Sequence, residues 1–132
     1  MERTINCCVL TPEKTLFEGD INFAAVQAYD GEMGFLFNHA ALLSELGIGE
    51  IRLKTKDKTD YLVVEGGIVE MRDNKLIILA ESAHQKSDLD QQEIKKKMSD
   101  LESDLGDSEK DKKVIKIEMN KLKARLKVAQ RS

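Results

Sequence analysis

The chain has 132 residues, with 21 basic and 24 acidic side chains and a formal net charge of −3. That length suits one ordinary domain or two small ones, and 41% hydrophobic with 34% charged residues excludes disorder of the whole chain. No apolar run approaches the roughly 18–20 residues that span a bilayer, the single proline (Pro12) excludes polyproline stalks, and Met1–Asn6 lack the apolar stretch of a signal peptide.

From the N-terminus, short apolar runs alternate with turn signals at the spacing of β-sandwiches and barrels. Ile5 to Leu10 ends at Thr11-Pro12, and Thr15-Leu16-Phe17 is followed by Gly19-Asp20. In the next run, Ile21 to Tyr29, period two puts Ile21, Phe23 and Ala25 on one face. Asp30-Gly31 then supplies a tight turn. Ile51 and Leu53 alternate with Arg52 and Lys54, one face apolar and one wet, before Lys56-Asp57-Lys58 turns back into Tyr61 to Val64. Gly66-Gly67 interrupts, Ile68 to Met71 follows, and Asp73-Asn74 is a two-residue hairpin signal before Leu76 to Ala80. Nothing helical separates these strands, which disfavours a βαβ sheet. The expected body is a β-sandwich of two antiparallel sheets over residues 1–85.

Residues 86–132 predict two helices. Ser87 or Asp88 can cap the first. Its stripe is Ile94, Met98, Leu101 and Leu105, and Gly106 stands where a left-handed C-terminal cap belongs. Ser108 followed by Asp111 signals a second N-terminus, with a stripe of Ile115, Met119, Leu122, Leu126 and Ala129. A short connection between two amphipathic helices implies an antiparallel hairpin. Each stripe can close on the other helix or bury itself elsewhere.

The charge is unevenly distributed. Residues 1–85 sum to −6, residues 86–109 to −4 and residues 110–132 to +7. Lys112, Lys113, Lys116, Lys121, Lys123, Arg125 and Lys127 crowd the second helix. Such a helix either presents a solvated face or is attracted to an acidic surface, protein or polyanion. All six aromatic residues lie at or before Tyr61, so the basic segment lacks stacking groups, which argues against nucleic acid.

Motifs for chemistry are sparse. His39 and His84 have no ligand cluster at metal spacing, and no catalytic or cofactor constellation is legible. Cys7 and Cys8 are adjacent, so in a strand they point to opposite faces and form no disulfide framework. Gly31-x-x-Gly34 and Gly47-x-Gly49 lack the setting of a phosphate loop and are read as turn glycines.

Five stretches resemble the epsilon subunit of F-type rotary ATP synthases: Leu10 to Gly19; Asp30-Gly31-Glu32-Met33-Gly34-Phe35-Leu36 running into Asn38 to Leu43; Gly49 to Arg52; Val64-Glu65-Gly66-Gly67-Ile68-Val69-Glu70 with Leu76 to Ala80 and Ala83; and Asp88-Leu89-Asp90. The resemblance covers almost the whole chain in order. It implies an N-terminal β-sandwich with a C-terminal helical hairpin and a non-enzymatic role on the central stalk. This role couples a proton- or sodium-driven membrane rotor ring to the gamma shaft, while the hairpin restrains ATP hydrolysis at the catalytic head. It also implies that Glu32 faces the ring, and that His39, Leu42 and Ser44 lie near gamma. The implied location is peripheral, on the cytoplasmic face of a bacterial inner membrane, with the stromal side of a thylakoid as the alternative. A β-sandwich binding module docking its basic hairpin on an acidic protein or nucleic acid is the competing reading.

Two departures from the family pattern matter. Phe37, Asn38 and Ala41 stand where the family commonly has prolines and a small residue around the histidine, which predicts a less constrained loop. The ATP pattern of some bacterial members is kept at Leu89 and Asp90. Glu93 and Ile94 replace its Arg and Ala, and its later basic positions are Lys121 and Arg125. A carboxylate there repels phosphate, and Lys lacks the guanidinium fork, so ATP binding is expected to be weak or absent, with no cofactor.

Overall fold

Alternating burial begins at the first strand: in β1 (Ile5–Leu10), Ile5, Cys7 and Val9 point inward. The computed structural model describes residues 3–104 and 108–131. Among these, β2 (Thr15–Ile21), β3 (Phe23–Ala28), β4 (Gly31–Leu36), β5 (Leu42–Lys54), β6 (Thr59–Arg72), β7 (Lys75–Ala80) and β8 (Ala83–Gln85) follow, then α1 (Gln91–Glu102) and α2 (Glu109–Ala129). The strands hydrogen-bond in the order β2-β1-β7-β6-β5-β3-β4, with β8 also on β6. Every pairing is antiparallel except β1 with β7, which is parallel.

The long β5–β6 ribbon belongs to both layers of a β-sandwich. Near its start β6 pairs with β8, and past its middle with β7. At the changeover stand Gly66 (φ 85°) and Gly67 (φ 130°), the latter already paired with Ala80 of β7, both in conformations that side chains resist. A Cβ on Gly67 would lie 2.1 Å from the Leu79 carbonyl oxygen, so only glycine lets the strands meet there. Phe35, Ile51, Leu53, Met71, Leu76 and Ile78 fill the space between layers. Each such side chain contributes about 1.5–3 kcal/mol on leaving water.

The structure corrects several local expectations. Gly66-Gly67 does not end a strand but bends one continuous β6. Gly47 and Gly49 sit inside β5 and Gly34 inside β4, so of the four presumed turn glycines only Gly31 (φ 138°) serves a turn. Ile21, Phe23 and Ala25 do not share a face. The chain breaks pattern at Asn22 between β2 and β3, and Ala24 and Val26 face the core instead. The Asp73-Asn74 hairpin is present, with both residues left-handed (φ 51° and 60°), the geometry that matches strand twist.

The first helix starts later than expected. Lys86–Asp88 form a short 3-10 turn, and Asp90, not Ser87 or Asp88, is the cap. Its backbone is extended, and its Oδ1 accepts from the N–H groups of Gln92 (2.9 Å) and Glu93 (3.3 Å). Ser108 caps α2 by accepting from the Asp111 N–H at 3.1 Å. Leu105 and Gly106 lie outside the described residues. The helices run antiparallel: the Gln91 amide at the start of α1 donates to the Ala129 carbonyl at the end of α2, at 3.2 Å. α2 lies over β5 and β6. Buried Ile94, Leu122 and Val128 belong to this outer layer rather than the sandwich core, and Val128 falls outside the predicted stripe.

Candidate functional site

On β5, Ile51 and Leu53 face the core, so Glu50 and Arg52 face the opposite side. On β6, Leu62 and Val64 face the core, so Val63 and Glu65 face outward too. That outer face is covered by α2, and Glu50 and Glu65 are the buried charged residues among those described. Two buried carboxylates demand compensation, and the hairpin supplies it.

Arg125, on α2, grips Glu65 side-on. Its Nε donates to Oε2 at 2.5 Å and its Nη2 to Oε1 at 2.8 Å, and the Glu65 side chain is 1% exposed. Arg131, just past α2, grips Glu50 the same way, Nε to Oε2 at 2.8 Å and Nη2 to Oε1 at 2.7 Å. Both pairs use the planar guanidinium fork that lysine lacks. The Arg131 guanidinium also lies over the Tyr61 ring, 5.0 Å from its centroid.

The two carboxylates differ in their remaining neighbours. Glu50 keeps a second arginine, Arg52, at 3.3 Å on its own strand. Arg52 also donates to Glu32 at 2.7 Å, making a chain Glu32–Arg52–Glu50–Arg131. Glu65 has His84, whose Nε2 lies 3.6 Å from Oε1 without a hydrogen-bond partner. Burial pushes the Glu65 carboxyl up, but the hydrogen bonds and charge of Arg125, helped by His84 and Ser82, outweigh it and hold the group below its ordinary range. At Glu50, burial is likewise outweighed by Arg131, Arg52 and Lys127. Hydrogen bonding to Arg52 holds Glu32 low as well.

The chain matches the model of the ATP synthase delta/epsilon chain β-sandwich domain over residues 4–86. It is 35% identical to an ATP synthase epsilon chain of Nitratidesulfovibrio vulgaris over 96 residues, 73% of this chain and 72% of that one. It is 36% identical to the epsilon chain of Leptospira borgpetersenii over 98 residues, 74% and 77% of the two chains. The chain belongs to the ATP synthase epsilon family. The shared segment ranges from 65% to 77% of the relatives' length. The fold also matches a chain in the Euglena gracilis mitochondrial ATP synthase assembly of OSCP, F1 and c-ring, with a TM-score of 0.86 at 17% identity, covering 99% of this chain and 84% of that one. A second match, in the Tetrahymena thermophila central stalk and c-ring, has a TM-score of 0.66 at 14% identity, with 96% of each chain covered. As an epsilon chain it is a non-catalytic subunit of the ATP synthase. No helix among the described residues is long and apolar enough to cross a bilayer.

The residues singled out in the sequence fall in three places. Glu32 is the second residue of β4, next to Gly31, exposed and tied to Arg52. His39 lies in the β4–β5 loop, with its Nδ1 2.7 Å from the Ala40 carbonyl oxygen and its ring 5.0 Å from that of Phe35. Leu42 packs against the core and Ser44 pairs with buried Val69, while Leu43 between them is 64% exposed. Of the ATP-pattern residues, Asp90 is the α1 cap, Glu93 pairs with Lys97 at 3.1 Å, and Ile94 is buried. Lys121 pairs with Glu118 at 3.5 Å, and Lys112 with Glu109 at 3.6 Å. Lys113, Lys116, Lys123 and Lys127 are exposed.

Sequence reasoning missed Glu50, Glu65 and Arg131 as a group. One signal was available: Leu62-Val63-Val64 is apolar on both faces, so the face shared by Val63 and Glu65 had to lie under a second layer.

Proposed function

We propose that this subunit couples the membrane rotor ring to the gamma shaft and that its hairpin restrains ATP hydrolysis by the catalytic head. The observation carrying this reading is the division of contacts: the sandwich core is complete within residues 5–83, and the hairpin is fastened outside it by ion pairs. A stiff body carries torque, and a part fastened by replaceable pairs can move without unmaking that body.

Residues 1–85 would act as the coupling body and 86–132 as the regulatory part. Glu32 would face the ring. Gamma would meet the segment from His39 through Leu42 to Ser44, with exposed Leu43, Ile68 and Leu79 on the adjoining outer face. Ile68 and Leu79 are direct cross-strand partners, and Leu43 lies opposite Glu70 on the same side. The exposed lysines of α2 would meet acidic segments of the head after the hairpin opens. The complex would sit on the cytoplasmic face of a bacterial inner membrane or the stromal face of a thylakoid. The ion carried, proton or sodium, is a property of the ring.

Truncation after Gln85 in the reconstituted assembly tests the reading. Retained incorporation with faster ATP hydrolysis is expected. Unchanged hydrolysis would remove the regulatory role.

A further inference from the structure

We propose that Arg125–Glu65 and Arg131–Glu50 form a two-point latch that sets the closed position of the hairpin, with Arg125–Glu65 the dominant point. The inference rests on the hairpin being the moving part, and deepens that reading by naming what holds it.

The apolar docking area is modest. On the helices, only Ile94, Leu122 and Val128 are buried among the described residues, and α2 also exposes Val114 and Ile117. Apolar contact is non-directional, so it leaves the position of α2 along the sheet loosely specified. Two forked ion pairs fix that position, because each requires a guanidinium and a carboxylate to be coplanar.

The asymmetry follows from what each carboxylate keeps when the hairpin leaves. Glu50 keeps Arg52, which sits on the same strand. Glu65 loses its only arginine and retains His84 and Ser82. The interaction lost on opening is therefore larger at Glu65. Arg131 also lies beyond the end of α2, so more chain must be ordered to hold it. Arg125 is held within the helix, its guanidinium facing Glu65 from above with Glu118 of α2 nearby.

Hydrogen exchange of the full chain tests the latch. Glu65→Gln and Arg125→Lys should each speed exchange of residues 109–131 by roughly tenfold or more, and Glu50→Gln by only a few-fold. Residues 59–72 serve as the internal control and should keep their rates. Unchanged exchange over 109–131 in both Glu65→Gln and Arg125→Lys would overturn the proposal, as would a larger effect from Glu50→Gln. Should Glu65→Gln loosen 59–72 as well, Arg125→Lys, which leaves the strand intact, decides. Hydrolysis by the reconstituted assembly separates this from the regulatory reading: loosened hairpins with unchanged hydrolysis would support the latch and reject regulation.

Discussion

Asn38 and Asn74, which lie 36 residues apart in the chain, clasp each other: the Asn38 N–H donates to the Asn74 side-chain oxygen at 2.6 Å, and the Asn74 amide donates back to the Asn38 side-chain oxygen at 3.1 Å. Both are left-handed (φ 65° and 60°), a conformation asparagine tolerates better than most residues. The clasp ties the β4–β5 loop to the β6–β7 turn. Asn74→Ala should lower unfolding free energy by about 1–2 kcal/mol in urea titration. Asn74→Asp, which keeps the acceptor for Asn38, should cost less. Equal losses would mean that the acceptor oxygen, which Asp keeps, contributes nothing and that the clasp rests on the Asn74 amide donor alone.

Gly67 has no room for any side chain, since a Cβ would meet the Leu79 carbonyl oxygen at 2.1 Å with φ at 130°. Gly31 has a similar φ of 138° but nothing within 4 Å. Gly67→Ala should therefore cost at least ~3 kcal/mol or abolish folding, and Gly31→Ala about 1–2 kcal/mol of backbone strain alone. Thermal unfolding of both variants checks the order. A Gly67→Ala protein as stable as Gly31→Ala would show that the strands separate easily at this bend.

Local patterns made most of the fold legible. Period-two burial marks β1, Asp73-Asn74 names its own turn, and Ser108 announces α2. The misreadings share one cause: glycine signals conformational freedom but not its use, so Gly47, Gly49, Gly66 and Gly67 suggested turns where tertiary packing builds long bent strands. Asp88 and Asp90 are equally good caps by type, and only the 3-10 turn before α1 selects Asp90. The hairpin contacts were beyond local pattern altogether, because Glu65 and Arg125 are 60 residues apart and Glu50 and Arg131 are 81 apart.

Cys7 and Cys8 should differ in reactivity. Burial, then the neighbouring Cys8, pushes the Cys7 thiol up to about 12. Burial and Glu18 also raise Cys8, but it is only half-buried. Since the thiolate is the nucleophile, native protein should react with a thiol reagent slowly and at Cys8 first, releasing Cys7 only on denaturation. Equal rates at both would place Cys7 outside the core.

Closure of the hairpin should be lost in acid. Burial raises the Glu65 and Glu50 carboxyls, but their arginines hold both below the ordinary value of 4.5. The closed form thus binds fewer protons than the open form. Its extra stability is present above roughly pH 4.5 and disappears as pH falls through the lowered values. The groups facing Glu65 are Arg125, His84 and Ser82; those facing Glu50 are Arg131, Arg52 and Lys127. Amide protection of α2 followed from pH 7 to 3 should fall, and a Glu50→Gln, Glu65→Gln double variant should be less protected at pH 7 and show a flatter profile. An equally steep profile in the double variant would assign the acid response elsewhere.

ATP should not bind this chain at micromolar affinity. The cleft between the helices, about 520 Å³, is lined by Asp100, Asp104 and Glu118 alongside Lys97 and Arg125. Arg125, the best phosphate ligand among them, already has its Nε and Nη2 committed to Glu65. Phosphate would have to displace a buried carboxylate and approach three others, and Glu93 adds a fourth near the start of α1. Calorimetric titration of the full chain with Mg-ATP should give no heat at micromolar concentrations. Glu65→Gln should weaken the hold on Arg125 without creating a site, because the carboxylates lining the cleft remain. A micromolar affinity in the unaltered chain would mean that Arg125 exchanges Glu65 for phosphate, and that the hairpin is held by nucleotide rather than by the sandwich.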